Sequence, residues 1–246
     1  ANGGAGLRRA LEDLRWKDYL DVYSCTECGR CQEACPAFAT GKPLNPKKIN
    51  EDMRAATVPA LPLLVGRKAG GEGQALPVLP SQTMADDVLW SCTTCGACEN
   101  QCPVDIEHID HIVDMRRYQM LVEGAFPSEA EVMLRNLEHA GDPWGRGAGA
   151  RMEWAAQLDF EVPVLGADGA DTLPEDLEYL YWVGCAGALD DKAQNTSRAV
   201  ATLLHQAGVK YMVLGEAETC TGDSARRVGH EFLFQMLAKT NIETLN

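Results

Sequence analysis

Eight of the ten cysteines in this chain fall into two copies of one spacing pattern. The copies are Cys25-x-x-Cys28-x-x-Cys31-x-x-x-Cys35-Pro36 and Cys92-x-x-Cys95-x-x-Cys98-x-x-x-Cys102-Pro103. Three thiolates spaced by two residues can bind three irons of one iron–sulfur cube from a single loop, whereas the fourth points away and ligates the other cluster. The pattern is therefore the ligand set of a ferredoxin that carries two clusters.

This spacing predicts two [4Fe-4S] clusters with crossed ligands. The ligands expected for the first cluster are Cys25, Cys28, Cys31 and Cys102. Those expected for the second cluster are Cys92, Cys95, Cys98 and Cys35. The alternative is structural zinc in two sites of four cysteines each. Zinc sites need only paired C-x-x-C units, so a third cysteine and a Cys-Pro pair in both copies favour iron–sulfur clusters.

Two further groups of residues lie close to these cysteines in the sequence. Gly29 and Gly96 are expected to let the loop backbone approach the cluster sulfides and donate N–H groups to them. Basic residues gather around the first copy, at Arg30, Lys42, Lys47 and Lys48. They form either a solvated rim around the cluster or a docking patch for an acidic redox partner.

Composition and charge narrow the class of protein. The 246 residues are 46% hydrophobic, and no apolar run approaches the roughly 18–20 residues that span a bilayer. A net charge of −14 disfavours nucleic acid as a partner. The first residues show no secretion signal, and the absence of an initial Met indicates a cut or processed start. Cysteines at ligand spacing indicate metal in a reducing compartment, which makes the cytoplasm the expected location.

The first half of the chain is predicted to be mainly helical. An apolar pattern indicates a helix over Leu7–Leu20, and Asn45-Pro46 is typical of the start of a helix that runs to about Ala56. Residues 57–82 are rich in Pro and Gly and predict an irregular insertion. Further helices are expected over residues 84–91, 106–123 and 128–140. His108 and His111, in the second of these, are expected at the surface or in support of a cluster rather than as ligands.

The last part of the chain changes character. Strands are expected over residues 177–183 and 210–214, each followed by a helix, at 191–206 and 224–239. This order is typical of a parallel α/β unit. Cys185 and Cys220 come just after the strands, at the edge where such sheets build their sites. Two strands are too few to bury a parallel sheet, so the unit is expected to be the front of a larger domain.

The predicted fold class is therefore α+β. A mainly α-helical ferredoxin-like domain with two [4Fe-4S] clusters covers residues 1–140 and includes the insertion at 57–82. A linker over residues 141–175 follows. Residues 176–246 form an incomplete α/β cysteine-rich domain.

The residues that surround the cysteines resemble a known family, the heterodisulfide-reductase-like iron–sulfur oxidoreductases. The likeness rests on the runs Cys25–Ala37, Gly41–Lys48, Trp90–Val104, Trp182–Gly187 and Cys220–Arg227. Among the members, the chain is most similar to the membrane-associated proteins that take electrons from electron-transfer flavoprotein and pass them toward quinone. This resemblance implies an electron-transfer component of an oxidoreductase. It also implies a flavoprotein donor, and a membrane quinone or haem domain that would hold the full-length protein at the inner face of the cell membrane.

Other functions remain open as alternatives to an electron-transfer component. One is a catalytic subunit of the heterodisulfide reductase type, with Cys185 and Cys220 as candidate catalytic residues. Another is the iron–sulfur subunit of a glycolate, lactate or glycerol-3-phosphate dehydrogenase. A third is a structural subunit whose clusters only brace an interface.

The chain departs from the family pattern after Cys220. The cysteine-rich domain of the family carries a Cys-Cys-Gly signature, and in some members it binds a non-cubane cluster that attacks disulfides. Here Thr221 follows Cys220, and Cys185 and Cys220 alone cannot hold a cluster. They are either two buried thiols at a strand end or a half-built site, and we expect no third cluster in this chain.

Overall fold

The computed structural model describes residues 10–66, 78–167 and 173–246, with side chains up to residue 62 in the first range. Residue contacts divide the chain into two compact units. The first unit comprises Ala1–Pro127 and Arg226–Glu231, and the second comprises Ser128–Ala225 and Phe232–Asn246. The boundaries predicted at residues 140 and 176 stay a prediction.

Helices build the first unit. They are α1 (Trp16–Ser24), α2 (Arg30–Ala34), α3 (Pro36–Ala39), α4 (Pro46–Gly66), α5 (Asp86–Trp90), α6 (Ala97–Asn100) and α7 (His108–Tyr118). A π-helical turn, Gln119–Glu123, continues α7 to Gly124, where the predicted helix also ends. The predicted first helix is a 3-10 turn, Leu11–Asp13, followed by α1, and residues 7–9 of it lie outside the described residues.

Helix α4 is longer than the sequence predicts. Its start is confirmed, since the Lys48 N–H donates to Asn45 Oδ1 at 3.3 Å and Pro46 is the first residue of the helix. The predicted irregular insertion is wrong for residues 57–66, because α4 continues through Pro59 and Pro62. Its buried face runs on past the expected end, at Ile49, Met53, Thr57 and Ala60. Residues 67–77 of that insertion lie outside the described residues.

The core of the first unit lies between α4, α5 and α7. Ile49 and Met53 from α4 pack in one cluster with Leu89 from α5 and with Ile112 and Met115 from α7. All five side chains are almost fully buried. This packing fixes the helices that follow and precede the two cysteine motifs.

The second unit contains a short parallel sheet. Strands β1 (Tyr179–Leu180) and β2 (Tyr211–Met212) are parallel neighbours, as predicted, although both are shorter than expected. A parallel bridge between Val164 and Val213 adds a third segment that the sequence did not reveal. The helices of this unit are α8 (Ser128–Ala140), α9 (Gly184–Leu189) and α10 (Ala193–Gln206).

The final helix predicted over residues 224–239 is wrong in extent. It is two helices, α11 (Asp223–Arg227) and α12 (Glu231–Leu245), separated by Gly229 at φ 88°. A Cβ at Gly229 would lie 2.5 Å from the Arg117 backbone nitrogen. Glycine is therefore required both by the left-handed backbone and by the close approach.

Candidate cluster sites and thiol pair

Two cavities of the first unit are lined by cysteines from both motif copies. The first, with an empty volume of about 300 Å³, is lined by Cys25, Cys28, Cys31 and Cys102. The second, of about 320 Å³, is lined by Cys35, Cys92, Cys95 and Cys98. Each cavity gathers three cysteines of one copy and the last cysteine of the other. This grouping matches the crossed pattern expected from the spacing, while ligation itself stays a prediction.

The arrangement fits a cluster better than a single metal ion. In the part of the chain that the structure describes, no group of three or more His, Cys, Asp or Glu side chains is placed to hold one ion. Zinc needs its sulfur ligands about 2.3 Å from one point. Thiols spread around a cavity instead suit a cube, whose ligands bind separate corners.

The two cysteine loops share one backbone conformation. Each residue of the first loop is matched by the residue 67 positions later, so that Cys25 corresponds to Cys92. Gly29 and Gly96 have φ of 82° and 80° and precede α2 and α6, while Glu27 and Thr94 have φ of 57° and 52°. The left-handed region explains the glycines, because other residues reach it only at a cost.

Backbone N–H groups already point at thiol sulfurs in both sites. The Thr94 N–H donates to Cys92 Sγ at 3.3 Å, and the Ile106 N–H donates to Cys102 Sγ at 3.4 Å. Burial raises the pKa of Cys31 to about 11 and that of Cys98 to about 12. These two thiols are thus protonated in the metal-free protein, and coordination to iron must displace their protons.

His108 and His111 are buried, which excludes the surface alternative and leaves the one in which they support a cluster. His108 lines the first cavity, and burial lowers its pKa to about 4, which keeps the imidazole neutral. Neither of its ring nitrogens has a hydrogen-bond partner among the described residues. An orphaned N–H beside the cavity fits a cluster, whose sulfurs accept such bonds. His111 Nε2 instead lies 3.4 Å from the buried carboxylate of Asp21.

An arginine braces each cysteine loop, and neither arginine was predicted from the sequence. Arg54, on α4, donates to the carbonyl oxygens of Val22 and Cys25, each at 2.8 Å. Arg116, on α7, donates to the carbonyl of Cys92 at 2.7 Å and to that of Leu89, the residues 67 positions later. The two arginines themselves are not 67 residues apart, so no sequence repeat reveals them.

The basic residues near the first motif are partly paired. Lys47 Nζ lies 3.3 Å from Glu51, and Lys48 Nζ lies 2.6 Å from Asp52, both one turn along α4. Such i,i+4 pairs are typical of a solvated helix face. They favour the interpretation of this region as a solvated rim.

Cys185 and Cys220 come together in the second unit. Cys185 lies in the first turn of α9, and Cys220 follows a 3-10 turn after β2. Their side chains share a hydrogen bond. That bond from Cys185 lowers the pKa of Cys220, whereas the pKa of Cys185 is raised. Within the pair, ionisation is therefore favoured at Cys220 over Cys185.

A buried ion pair supports the two thiols. Arg151 Nη1 lies 3.0 Å from Glu218 Oε1, and both side chains are 3% exposed. Arg151 also donates to Cys185 Sγ at 3.1 Å. Glu218 accepts the backbone N–H groups of Val183 and Gly184, which open α9. The Arg151–Glu218 ion pair thus connects the segment before Cys220 to the helix that carries Cys185.

These units define a class of protein: an iron–sulfur protein with a dicluster ferredoxin domain followed by a cysteine-rich domain. Residues 21–106 match the 4Fe-4S dicluster domain, and residues 179–246 match the cysteine-rich domain. The predicted order of the two domains is confirmed. Iron–sulfur clusters are the cofactors that this combination of domains indicates.

Sequence identity to individual proteins narrows the class further. It is 40% identical to EtfAB:quinone oxidoreductase of Syntrophomonas wolfei, over 96% of this chain and 35% of that protein. It is 38% identical to the probable iron-sulfur-binding oxidoreductase FadF of Bacillus subtilis, over 97% of this chain and 37% of that protein. A component of the dihydromethanophenazine:CoB–CoM heterodisulfide reductase of Methanosarcina mazei is 27% identical, over 92% of this chain and 52% of that protein. The chain is thus a homologue of the heterodisulfide-reductase-like iron–sulfur oxidoreductases, and it spans about a third of the length of the first two relatives.

Proposed function

We propose that this chain is the two-cluster electron relay of an oxidoreductase. Each cavity would hold one [4Fe-4S] cluster through three thiolates of its own loop and one from the other loop. Such a cluster accepts and releases one electron at a time. The observation that carries the proposal is the grouping of three plus one cysteines around each of two cavities.

The two proposed cluster sites lie a short distance apart, and each has one exposed cysteine. Cys31 lies in the first turn of α2 and Cys35 directly follows that helix, four residues later, but the two line different cavities. At 1.5 Å of rise per residue, about 6 Å of helix axis separates them, which is a short path for an electron. Cys28 and Cys95 are exposed, so each site has one corner near the surface where a partner can dock.

The partners are proposed from the relatives and the family resemblance. One relative is named as an oxidoreductase between EtfAB and quinone. We propose a flavoprotein of the electron-transfer type as donor and a quinone-linked acceptor. A membrane quinone or haem domain of the full-length protein would place this chain at the inner face of the cell membrane. Within the described residues, no helix is long and apolar enough to cross a bilayer.

The thiol pair favours a second candidate function. Cys185 and Cys220 share a hydrogen bond that lowers the pKa of Cys220 and favours its thiolate, and thiolates are the nucleophiles of disulfide chemistry. A catalytic subunit of the heterodisulfide reductase type would perform its reaction there. The relay would then feed electrons to this pair instead of passing them to a partner.

Metal analysis and electron transfer test the proposal together. Protein purified without oxygen should contain about eight irons with matching sulfide, and reduced EtfAB should bleach its visible absorbance. The matched control replaces both Cys185 and Cys220 with Ser and should keep the iron content and the bleaching. Zinc without sulfide would contradict the cluster proposal. Loss of disulfide turnover by the full-length double variant, with its clusters intact, would favour the second candidate.

A further inference from the structure

The two arginines that brace the cysteine loops differ in how their charge is neutralised. Arg54 Nη1 lies 2.6 Å from the Glu27 carboxylate, in the first loop. Arg116 is only 4% exposed, and the hydrogen bonds of its guanidinium among the described residues all end on backbone carbonyls: those of Leu89, Cys92 and Arg227. Thr94 stands in the second loop where Glu27 stands in the first.

A buried guanidinium without a carboxylate requires a counter-charge. Taking a cation out of water is unfavourable by several kcal/mol unless an anion compensates it. The Trp90 ring, 4.9 Å from Arg116 Cζ, and the three carbonyls compensate only in part. Burial lowers the pKa of Arg116, and the charge of the Cys92 thiolate opposes that decrease. The nearby anion is therefore the second cluster site itself.

We propose that Arg116 is the counter-cation of the second cluster and holds its reduction potential above that of the first. The inference rests on the proposed function. A cubane with four thiolates is anionic and gains one more negative charge on reduction, so an adjacent buried cation favours the reduced form. At the first site Glu27 cancels the charge of Arg54, which leaves no such preference.

Two other charged groups act against this difference: Arg30 lowers the pKa of Cys28 at the first site, and Glu99, in addition to burial, raises that of Cys98 at the second. Arg30 is exposed and Glu99 is half-buried, so solvent screens both more than it screens the buried Arg116.

The remaining charged groups change the balance little. Lys47 lines the first cavity but is paired with Glu51. The carboxylate of Asp21 is paired with Lys17 at 2.6 Å. Arg227 donates to Thr93 and Thr94 of the second loop from an exposed position, where solvent screens its charge. It acts in the same direction as Arg116.

The consequence is a direction of flow. The first cluster, once reduced, gives one electron to the second, and no bond or proton moves in this step. A donor would then deliver electrons at the exposed Cys28 corner, and an acceptor would withdraw them at the exposed Cys95 corner.

Redox titrations followed by electron paramagnetic resonance test this assignment. The two signals are assigned with Cys28→Ser and Cys95→Ser, each of which should alter the line shape of its own cluster. In the unmodified protein the second cluster should be reduced first. Arg116→Gln should lower its reduction equilibrium constant at least tenfold, which is about 59 mV for one electron, and Arg116→Lys should retain most of the difference. The first cluster should keep its potential in both variants.

Glu27→Thr is the matched variant, because it gives the first loop the residue of the second. It should release the charge of Arg54 and raise the potential of the first cluster, and Glu27 is exposed enough for the change to leave the fold intact. Equal shifts in Arg116→Gln and Arg116→Lys, or a first cluster that is reduced first, would overturn the inference. If Arg116→Gln does not bind the second cluster, two measurements still test the inference. They are the order of reduction in the unmodified protein and the potential of the first cluster in Glu27→Thr. Zinc in place of iron and sulfide would instead refute the proposed function.

Discussion

Replacing Arg151 with Gln removes one partner of the buried ion pair beneath the thiol pair. Arg151 and Glu218 are each 3% exposed and lie 3.0 Å apart. Breaking such a pair costs about 3–5 kcal/mol, because the remaining charge stays buried. Glu218 keeps two backbone donors, the N–H groups of Val183 and Gly184. We therefore expect the lower end, about 3 kcal/mol lost from the free energy of unfolding of the second unit.

The loss should depend on pH in a defined direction. Burial raises the pKa of Glu218 in the native protein, and removal of Arg151 should raise it further. A carboxyl group whose pKa is raised in the native state does not destabilise the protein below its unfolded pKa, because it is then protonated in both the folded and the unfolded state. Its contribution to stability is lost as the pH rises through the native pKa. The variant should thus be closer to the unmodified protein at mildly acid pH than at mildly alkaline pH.

Urea unfolding without oxygen, followed by circular dichroism at both pH values, measures this effect. Arg151→Lys is the control that keeps the charge, and it should lose less stability than Arg151→Gln. Adding Glu218→Gln to Arg151→Gln should recover part of the loss, since no buried charge remains. A loss below about 1 kcal/mol, or the same loss at both pH values, would refute the assignment of Arg151 and Glu218 as a buried ion pair.

Three further predictions concern the cysteine sites. Cys35→Ser should remove the cluster of the distant second loop and lower the iron content from about eight to about four; a loss confined to the first cluster would refute the crossing. Gly29→Ala should destabilise the first loop by about 1–2 kcal/mol in thermal unfolding, because φ is 82° there. The control Gly149→Ala should be neutral, because φ is not positive at Gly149 and an added Cβ would meet open space. Alkylation of Cys220, followed by mass spectrometry, should begin at a lower pH than alkylation of an ordinary thiol, because the hydrogen bond from Cys185 lowers the pKa of Cys220. Removal of the Cys185 donor should move the onset to higher pH.

The sequence predicted the parts of the fold that follow from local chemistry. Asn45 and Pro46 located the start of α4, and Ser128 located the start of α8. The prolines at 59 and 62 suggested a break, but the buried face of α4 continues past them, and packing outweighed the local signal. A helical pattern that includes Ile112 and Met115 would also have placed His108 and His111 on the buried face of α7.

The arginines of the cluster sites could not be predicted in the same way. Arg54 and Arg116 act through carbonyl groups of residues more than 20 positions away. Every residue has a backbone carbonyl, so residue types in the sequence do not indicate which carbonyls accept hydrogen bonds from a given guanidinium. The 67-residue spacing already aligns Glu27 with Thr94, but the charge difference between the sites becomes apparent only when the structure places Arg54 against Glu27.

The proposed exchange of the fourth cysteine between the two clusters would constrain how the protein is made. Cys102 lines the first cavity but follows Cys31 by roughly 70 residues, which a ribosome needs several seconds to add at ~5–20 residues per second. Until then the nascent chain displays three reduced thiols that no cluster can protect fully. Under the proposed ligation, a complete first cluster can therefore form only on a chain that has been synthesised through both motifs.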